Sequence, residues 1–600
     1  MIGTDPNLRP EPGRPAPTPA WCSAVVAASA LLGMTLIADQ AYRLSATYDE
    51  ATYLRVASRW WRAGEQAEIS RMGSPLTFFK IQQAPTLWAL DRLGHRDWVD
   101  DPIANQAKLL PVVRIGGAWT WLVALGAVAL WARRLYGPRA MAMASAVFAL
   151  GPNLLAHATL TTMELPLVAC TSAMFLGFWT FLRTGSPRAF WATAAIGGLA
   201  FSCKFTTILI PPILALAWAV DLWRGRSRAS DRPAGEVDEV EPRTGLMGRS
   251  LLVLRAVVPG MLGFGAAMLA ANLLVTGFAT IPLSARNGLH PSLEGKLSPT
   301  AERWAVRAFE QSFPQDWVGF ATQVLHQRNG GPSYLLGERR LTGWKHYYPV
   351  TLAVKVPLGF WLLVAARVWF GARGGVKPAD RDWFPLVVVL AFLAVAMIGS
   401  KRNYGVRYLL PVAAPAIVWI SGLAEGRRAS RACVGLGIAA MTVALAGSHP
   451  HELSYFNGLA GGPIGGRRVL SDSNLDWGQG ARSLGRLQAM RPELRDLTLF
   501  YFGDTDPGHY GVVGHRFVFD ANRTPTGLPP ELAVSTPFLA VSASLQWGPW
   551  GPGGYFRRLD GIEPVAYTDD TTIAIYRTAD LTGPRPRAAR TRLRRGRGPG

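Results

Sequence analysis

The sequence predicts an α-helical polytopic membrane protein with a small C-terminal α/β domain. The chain has 600 residues, of which 49% are hydrophobic, and this exceeds what one compact soluble domain holds. Its apolar residues fall into repeated stretches of roughly 17–25 residues, the length that an α-helix needs to cross a bilayer. From residue 461 onward these stretches give way to short runs rich in β-branched and aromatic residues, which favour strands.

About eleven apolar stretches are predicted to be transmembrane helices on the criterion of length. They lie near residues 20–41, 110–132, 140–157, 165–182, 188–203, 205–223, 252–275, 350–370, 384–399, 408–424 and 432–448. The first stretch is longer than the apolar core of a signal peptide, and no basic segment runs into it. We therefore expect an uncleaved anchor helix.

The basic loops predict the orientation of these helices. The arginine-rich loops fall on the same side of the membrane as the N-terminus, and they are residues 133–139, 183–188, 224–249, 367–381 and 427–431. Because positive loops stay in the cytoplasm, that side is predicted to be cytoplasmic. We expect the loops 42–109 and 276–349, and everything after residue 449, to lie on the extracytoplasmic side.

The sequence divides into four predicted parts. They are a disordered cytoplasmic N-terminus (1–19), a transmembrane domain (20–449), an extracytoplasmic α/β domain (450–580) and a disordered basic tail (581–600). The net charge of +22 comes largely from the cytoplasmic loops and the tail. Topology and attraction to membrane lipids explain this charge better than nucleic-acid binding does. The four cysteines show no metal-like spacing, so neither a disulfide framework nor a cysteine metal site is expected.

Alternation and turn residues predict the elements of the C-terminal domain. They are a strand at Val469–Ser471, a helix at 478–490 and strands at Leu497–Phe502, Phe538–Ala543 and Thr571–Tyr576. A β-α-β beginning indicates a small α/β domain packed on the outer membrane face.

Two adjacent acids, Asp49 and Glu50, follow the first predicted span by a few residues. Carboxylates at the end of a transmembrane helix are costly to keep near lipid, which indicates function, although such acids are also common as solvated helix flanks. Other charged residues fall at the same predicted membrane face, and they are Glu164, Lys204, Arg402 and Arg407. Any one acid–cation pair is explained by ion pairing. Their recurrence on one side favours a cavity for an anionic group anchored in the lipid.

A sugar joined to a polyprenyl phosphate fits this set of side chains. Its leaving phosphate gains charge during transfer, and Lys and Arg stabilise such charge. Its acceptor hydroxyl needs a carboxylate that takes the proton as attack proceeds. Attack opposite the leaving phosphate would invert the anomeric carbon, by analogy with glycoside hydrolysis.

At these residues the sequence resembles the phospholipid carrier-dependent glycosyltransferases of the C-type membrane superfamily, which are related to protein O-mannosyltransferases and to the aminoarabinose transferase of lipid A. The resemblance covers most of residues 20–575. Besides Asp49, Glu50, Glu164 and Lys204, the matching segments are Gly405–Pro411, Tyr334–Glu338, Gly343–Pro349, His449–Asn457 and Ser471–Gln479. All but the first of these segments look like the bacterial branch of the family, which has a C-terminal external domain, so the resemblance implies a bacterial cytoplasmic (inner) membrane protein.

The resemblance implies roles for the acids. Asp49 would be the base that activates the acceptor, and Glu50 its structural or electrostatic partner. Glu164 takes the position of the family's second-loop acid, where an Asp is more usual. Lys204 and Arg407 would hold the donor phosphate, and Arg402 is a further candidate for that role.

Other polar residues have two open interpretations. Asp472, Asn474, Asp476, Trp477 and Gln479 follow a predicted strand end, where substrate contact and a polar cluster that stabilises a turn are equally consistent with the pattern. The histidines of His449-Pro-His451 suit a metal or a structural role, and we predict no metal site. No cofactor is required, although a divalent cation is compatible with the resemblance.

The sequence thus predicts a membrane glycosyltransferase that moves a hexose or pentose from a polyprenyl-phosphate carrier to a protein, lipid or glycan hydroxyl on the extracytoplasmic face. A transporter or flippase of a lipid-linked sugar is the alternative, but it often shows paired repeats and charges at the midplane. Here no repeat is found and the charges gather at one face. A membrane-anchored scaffold for the C-terminal domain leaves the acid pair unexplained.

Overall fold

The computed structural model describes residues 18–65, 75–224, 246–282, 298–376, 378–519, 534–551 and 555–581. Three sequence predictions fall largely outside these residues. They are the disordered N-terminus, the arginine-rich cytoplasmic loop 224–249 and the disordered C-terminal tail.

The described chain is mostly helical as far as residue 466. Its helices are α1 (Ala20–Arg43), α2 (Tyr48–Ala63), α3 (Thr77–Arg92), α4 (Arg96–Asp100), α5 (Gln106–Gly117), α6 (Trp119–Leu135), α7 (Pro138–Ala149), α8 (Pro152–Thr159), α9 (Glu164–Thr184), α10 (Pro187–Phe201), α11 (Ile210–Trp223), α12 (Leu246–Thr276), α13 (Pro299–Glu310), α14 (Gln315–Asn329), α15 (Tyr347–Lys355), α16 (Leu358–Ala372), α17 (Trp383–Gly399), α18 (Ala413–Ser421), α19 (Arg428–Ala446) and α20 (Gly462–Gly466). Two short hairpins lie among them, formed by β1 (Thr280–Pro282) with β2 (Ser312–Pro314) and by β3 (Ser333–Leu335) with β4 (Glu338–Arg340).

The protein is a multi-pass membrane protein. In the described part of the chain, seven helical segments are long and apolar enough to cross a bilayer, or nine if two bent helix pairs each count as one span. A helix lies at every one of the predicted spans, but those at 188–203 and 384–399 are only 15 and 17 residues long. Up to nine of the eleven predicted spans are therefore long and apolar enough to cross a bilayer in the described chain, while the predicted spans 188–203 and 384–399 are too short to count.

Two spans that the sequence predicts as continuous are broken. Helices α7 and α8 meet at an angle of 62°, and α15 and α16 at 107°. The breaks lie at Gly151-Pro152 and Val356-Pro357. Proline lacks the backbone N–H that continues a helix and pushes the preceding residue out of the helical region, so each break has a local cause.

A five-stranded mixed sheet forms the C-terminal part. After α21 (Ala481–Met490) come β5 (Leu497–Phe502), β6 (His515–Phe519), β7 (Phe538–Ser542), α22 (Ala543–Gln546), β8 (Ala566–Tyr567) and β9 (Ile573–Arg577). The strand order is β6-β5-β7-β9-β8, with β5 parallel to β6 and β7, and β9 antiparallel to β7 and β8. The predicted helix and the last three predicted strands are confirmed, with ends that differ by at most three residues.

The predicted strand Val469–Ser471 is wrong, and with it the β-α-β beginning. The backbone N–H groups of Val469 and Leu470 both donate to the carbonyl of Gly466, which makes a turn. Leu470 is fully buried in the main core cluster. A short apolar run can cover a core as a turn as well as a strand, and periodicity does not separate the two.

The sheet is covered on both faces. Helix α21 packs Ala481 and Leu484 against Leu497, Leu499 and Ile575 on one face. On the other face, a cluster with Phe500, Phe502 and Val541 includes Leu453 and Trp477 and reaches Ala156 and Leu160 at the end of α8. The sheet therefore rests directly on the helical part, next to the start of α2.

Candidate active site

The first turn of α2 separates the two adjacent acids. Thr47 is the N-cap, and Glu50 is the third helical residue of a capping box, in which its carboxylate accepts a hydrogen bond from the Thr47 N–H at 2.9 Å. Asp49 lies one position earlier on the helix and so points along a different direction. The local helix geometry gives the two acids different surroundings.

Glu50 is fully buried and paired with an arginine. It accepts hydrogen bonds from Arg114 at 2.6 and 2.9 Å, and both side chains have no solvent exposure. The backbone N–H of Thr161 donates to it at 2.9 Å. Burial alone would raise the pKa of Glu50, but Arg114 and the N–H groups of Thr47 and Thr161 outweigh burial and lower it. Both carboxylate oxygens are occupied by protein donors, so Glu50 fits the structural partner role.

Asp49 is less enclosed. Its Oδ2 accepts a hydrogen bond from Arg407 Nη1 at 3.2 Å, and its side chain is 28% exposed. Burial raises the pKa of Asp49, Glu164 adds to the rise, and Arg407 and Lys204 oppose it, with a net shift above the ordinary value of 3.8. A carboxylate with one protein partner and a raised pKa is a stronger base than an ordinary aspartate.

Four of the predicted charges form one row. Arg407 Nη1 lies 3.7 Å from Glu164 Oε1 as well as 3.2 Å from Asp49, and Lys204 Nζ donates to the same Glu164 oxygen at 2.9 Å. The Lys204 ammonium also lies 4.3 Å from the centre of the Tyr408 ring. The structure therefore brings together the predicted base, the predicted second-loop acid and both phosphate candidates, although they are up to 358 residues apart in the chain.

Arg407 is held by the C-terminal part of the chain. Its guanidinium lies 4.3 Å from the centre of the Trp477 ring, and its Nε donates to the Tyr404 carbonyl at 3.3 Å. Gly405 has φ of +106°, and a Cβ there would approach Ser473 Oγ to 2.8 Å. The backbone before Arg407 thus requires a glycine, because the segment after residue 470 packs directly on it.

His157 in α8 lies on another side of Trp477, with ring centres 6.2 Å apart. It is 1% exposed, and neither ring nitrogen has a hydrogen-bond partner within the described residues. Glu164, Arg407 and Lys204 are near enough to act on it electrostatically. The sequence prediction did not include this histidine.

Within the Ser471–Gln479 segment, the polar-cluster interpretation fits most residues. Asn474 accepts from the Val406 N–H at 2.9 Å and donates to Tyr347 Oη at 3.1 Å. Asp476 accepts from the N–H groups of Gly478 and Ser544 at 3.1 and 2.8 Å. The Trp477 N–H donates to Gln479 at 2.7 Å. These contacts stabilise the segment itself.

Besides Trp477, whose ring lies against Arg407, Asp472 is the member of this segment that interacts electrostatically with the charge row. Its backbone has φ of +59°, a strained value for an aspartate. Burial and the nearby Asp49 raise the pKa of Asp472 to about 6, against the opposing charge of Arg407. Asp472 therefore remains a candidate for substrate contact.

The remaining predicted residues have separate partners. Arg402 Nε donates to the Gly330 carbonyl at 2.6 Å, and its guanidinium lies 5.8 Å from the centre of the Tyr404 ring. His449 bridges Glu452 at 2.7 Å and Asp39 at 3.0 Å, whose carboxylates raise its pKa. Across the described ranges, no group of three His, Cys, Asp or Glu side chains is placed to hold a metal ion.

The sequence prediction missed Arg114, although the sequence carries a signal for it. Arg114 lies within the predicted span 110–132, and an arginine inside an apolar span is expensive unless it has a partner. The same argument that selected Asp49 and Glu50 would have selected Arg114 as the counter-charge for one of them.

The comparisons with known proteins agree with the sequence prediction. Residues 108–230 match the family model described as dolichyl-phosphate-mannose-protein mannosyltransferase, which confirms the predicted resemblance. No curated protein matches the chain. Among solved structures, the chain is similar to the transferase ArnT from Cupriavidus metallidurans bound to undecaprenyl phosphate, with 14% identity over 94% of this chain and 99% of that one and a TM-score of 0.43. It is also similar to the oligosaccharyltransferase AglB from Archaeoglobus fulgidus, with 13% identity over 93% and 74% of the two chains and a TM-score of 0.43.

Proposed function

We propose that this chain, part of which matches a family of dolichyl-phosphate-mannose-dependent transferases, moves a sugar from a polyprenyl-phosphate carrier to an acceptor hydroxyl on the extracytoplasmic face. The observation that carries the proposal is the row Asp49–Arg407–Glu164–Lys204, which places a partly exposed carboxylate with a raised pKa beside two cations. A phosphate leaving group and a hydroxyl acceptor need these two kinds of side chain side by side.

Asp49 is the base in this proposal. The acceptor oxygen attacks the anomeric carbon, while its proton passes to the free oxygen of the Asp49 carboxylate. The bond from the anomeric carbon to the phosphate oxygen breaks, and its electron pair leaves with the polyprenyl phosphate. Attack and departure on opposite sides of the carbon give inversion.

Arg407 and Lys204 bind the donor phosphate. In the structure each cation is paired with a carboxylate, Arg407 with Asp49 and Lys204 with Glu164. A phosphate that enters the row competes with these carboxylates for the same N–H groups. Because Arg407 is the hydrogen-bond partner of Asp49 among the described residues, the arrival of the donor would release Asp49 for the acceptor proton.

An apolar cavity is available for the prenyl chain. It measures about 310 Å³, and Val406, Leu409 and Leu410 on either side of Arg407 contribute to its wall, with Phe360 and Trp361 of α16 among its other lining residues. A prenyl chain there would exchange contacts with lipid for packing against these apolar side chains, and its phosphate would lie next to Arg407.

The test is transfer in proteoliposomes that contain the purified protein, a radiolabelled polyprenyl-phosphate sugar, and protein, lipid or glycan acceptors offered separately. We expect transfer to one acceptor class, with Arg407→Gln and Lys204→Gln raising the donor KM by about tenfold, since each removes a charged hydrogen bond to phosphate. Lys345→Met, at an exposed position, is the matched control. Movement of the donor across the bilayer without sugar transfer would contradict the proposal and indicate a flippase instead.

A further inference from the structure

Lys355 lies at the break between α15 and α16 and is almost completely buried, with 1% exposure. Its ammonium donates to three backbone carbonyls, those of Leu453 at 3.0 Å, Tyr455 at 2.5 Å and Asn474 at 2.6 Å. It also lies 4.6 Å from the centre of the Phe456 ring. No carboxylate from the described ranges forms an ion pair with it.

Burying the Lys355 ammonium costs free energy, which its hydrogen bonds to the three carbonyls must offset. A buried ammonium loses its hydration, and three carbonyl oxygens satisfy its three N–H groups without neutralising its charge. An apolar side chain of the same length would avoid the cost of burying the charge but would leave three carbonyls unsatisfied. The charge therefore serves to hold two distant backbone segments, residues 453–455 and residue 474, against the end of α15.

The contacts of Asn474 connect Lys355 to the charge row. While its carbonyl accepts from Lys355, the side chain of Asn474 accepts from the N–H of Val406, the residue before Arg407. The neighbouring Ser473 donates to the Tyr404 carbonyl at 2.6 Å, which also accepts from Arg407 Nε at 3.3 Å. The Lys355 ammonium is thus connected to the Arg407 guanidinium through Asn474 and its neighbour Ser473.

We propose that Lys355 is a positioning residue that sets the place of Arg407 through Asn474, so that the guanidinium meets the donor phosphate. The proposal rests on the proposed function, because it assigns the donor phosphate to Arg407. It extends that function by adding a residue that lies outside the row and contacts neither substrate.

The test compares Lys355→Met, which keeps the chain length and removes the charge, in two backgrounds. With Arg407 present, we expect Lys355→Met to raise the donor KM by about tenfold, since mutations in one hydrogen-bonded network are coupled, and to leave the acceptor KM unchanged. In an Arg407→Gln background we expect Lys355→Met to change the donor KM less than about twofold, because the residue it positions is absent.

A second variant and a binding measurement complete the design. Asn474→Ala keeps the backbone bond to Lys355 and cuts the link to Val406, so it should reproduce the rise in donor KM if Lys355→Met does not fold. Equal losses in both backgrounds, or a loss that appears in the acceptor KM, would overturn the proposal. Binding of polyprenyl phosphate alone separates the two hypotheses. A wild-type protein that fails to bind it contradicts the proposed function, whereas equal binding by wild type and Lys355→Met contradicts only the role of Lys355.

Discussion

Two acid–arginine pairs stand side by side at the start of α2, and their surroundings differ in almost every respect. Glu50 and Arg114 are both fully buried and joined by two hydrogen bonds, with further backbone donors on the carboxylate. Asp49 and Arg407 share one contact of 3.2 Å and are 28% and 12% exposed. The first carboxylate has its pKa lowered and the second has its pKa raised. Adjacent residues of one helix turn can thus be divided between structure and chemistry by their partners alone.

The largest expected effect is the loss of transfer when the partly exposed pair Asp49–Arg407, called here the open pair, is changed. Asp49→Asn keeps the shape of the side chain and removes the base, so we expect the transfer rate to fall about a thousandfold, within the range of general base catalysis. The melting temperature should stay close to that of the wild type, because only one weak contact to Arg407 changes. The measurement is transfer in proteoliposomes together with thermal unfolding. Near-normal transfer by the folded variant would remove Asp49 from the mechanism.

The buried pair Glu50–Arg114, called here the closed pair, should lose stability and keep its transfer rate. Glu50→Gln leaves the Arg114 charge buried without its counter-ion, and breaking a buried pair costs about 3–5 kcal/mol of the free energy of unfolding. We expect a lower melting temperature and lower yield, while the protein that does fold transfers sugar at a rate near that of the wild type. Normal stability with lost transfer would instead make Glu50 the base.

The pH dependence of activity and stability should also differ. Asp49 must be ionised to act, so transfer is lost as the pH falls through its raised pKa. The lowered pKa of Glu50 means that its stabilisation is fully present above its ordinary value near 4.5, and is lost only as the pH falls through the lower folded value. Acidification should therefore abolish transfer while the protein is still folded.

Asp472 provides the control for that profile, because its own pKa of about 6 means that it also takes up a proton on acidification. If protonation of Asp49 causes the loss of transfer at low pH, this loss persists in Asp472→Asn. If the loss at low pH disappears in this variant, protonation of Asp472 causes it. Simultaneous loss of transfer and of the fold at one pH would contradict the division between the two pairs.

The predictable and unpredictable parts of the fold follow from the range of the interactions involved. Apolar length predicts where each membrane helix lies, because that signal is local. The breaks at Gly151-Pro152 and Val356-Pro357 also have a local signal, since proline acts on its own turn, although the sequence prediction treated both spans as continuous. The turn at Val469 has no local signal, because the partners that bury Leu470 are distant in the chain.

The site follows the same division. Positions at one membrane face predict that Asp49, Glu164, Lys204 and Arg407 share a region, and the structure joins them. The sequence does not show that Arg114 belongs to Glu50 and Arg407 to Asp49, since each pairing depends on how helices pack. Lys355 is a further case, because its three partners are carbonyls, which carry no sequence signal.

The smallest expected effect concerns Arg402, the cation that the sequence places near Arg407 and the structure directs elsewhere. Its guanidinium donates to the Gly330 carbonyl rather than to an acid of the row, so a phosphate beside Arg407 gains little from it. We expect Arg402→Gln to change the donor KM by less than about twofold, whereas Arg407→Gln raises it about tenfold through the loss of a charged hydrogen bond. The two variants are compared in the same proteoliposomes with the same donor. Equal rises would place both guanidinium groups on the phosphate, and the open pair would then be one part of a larger cationic site.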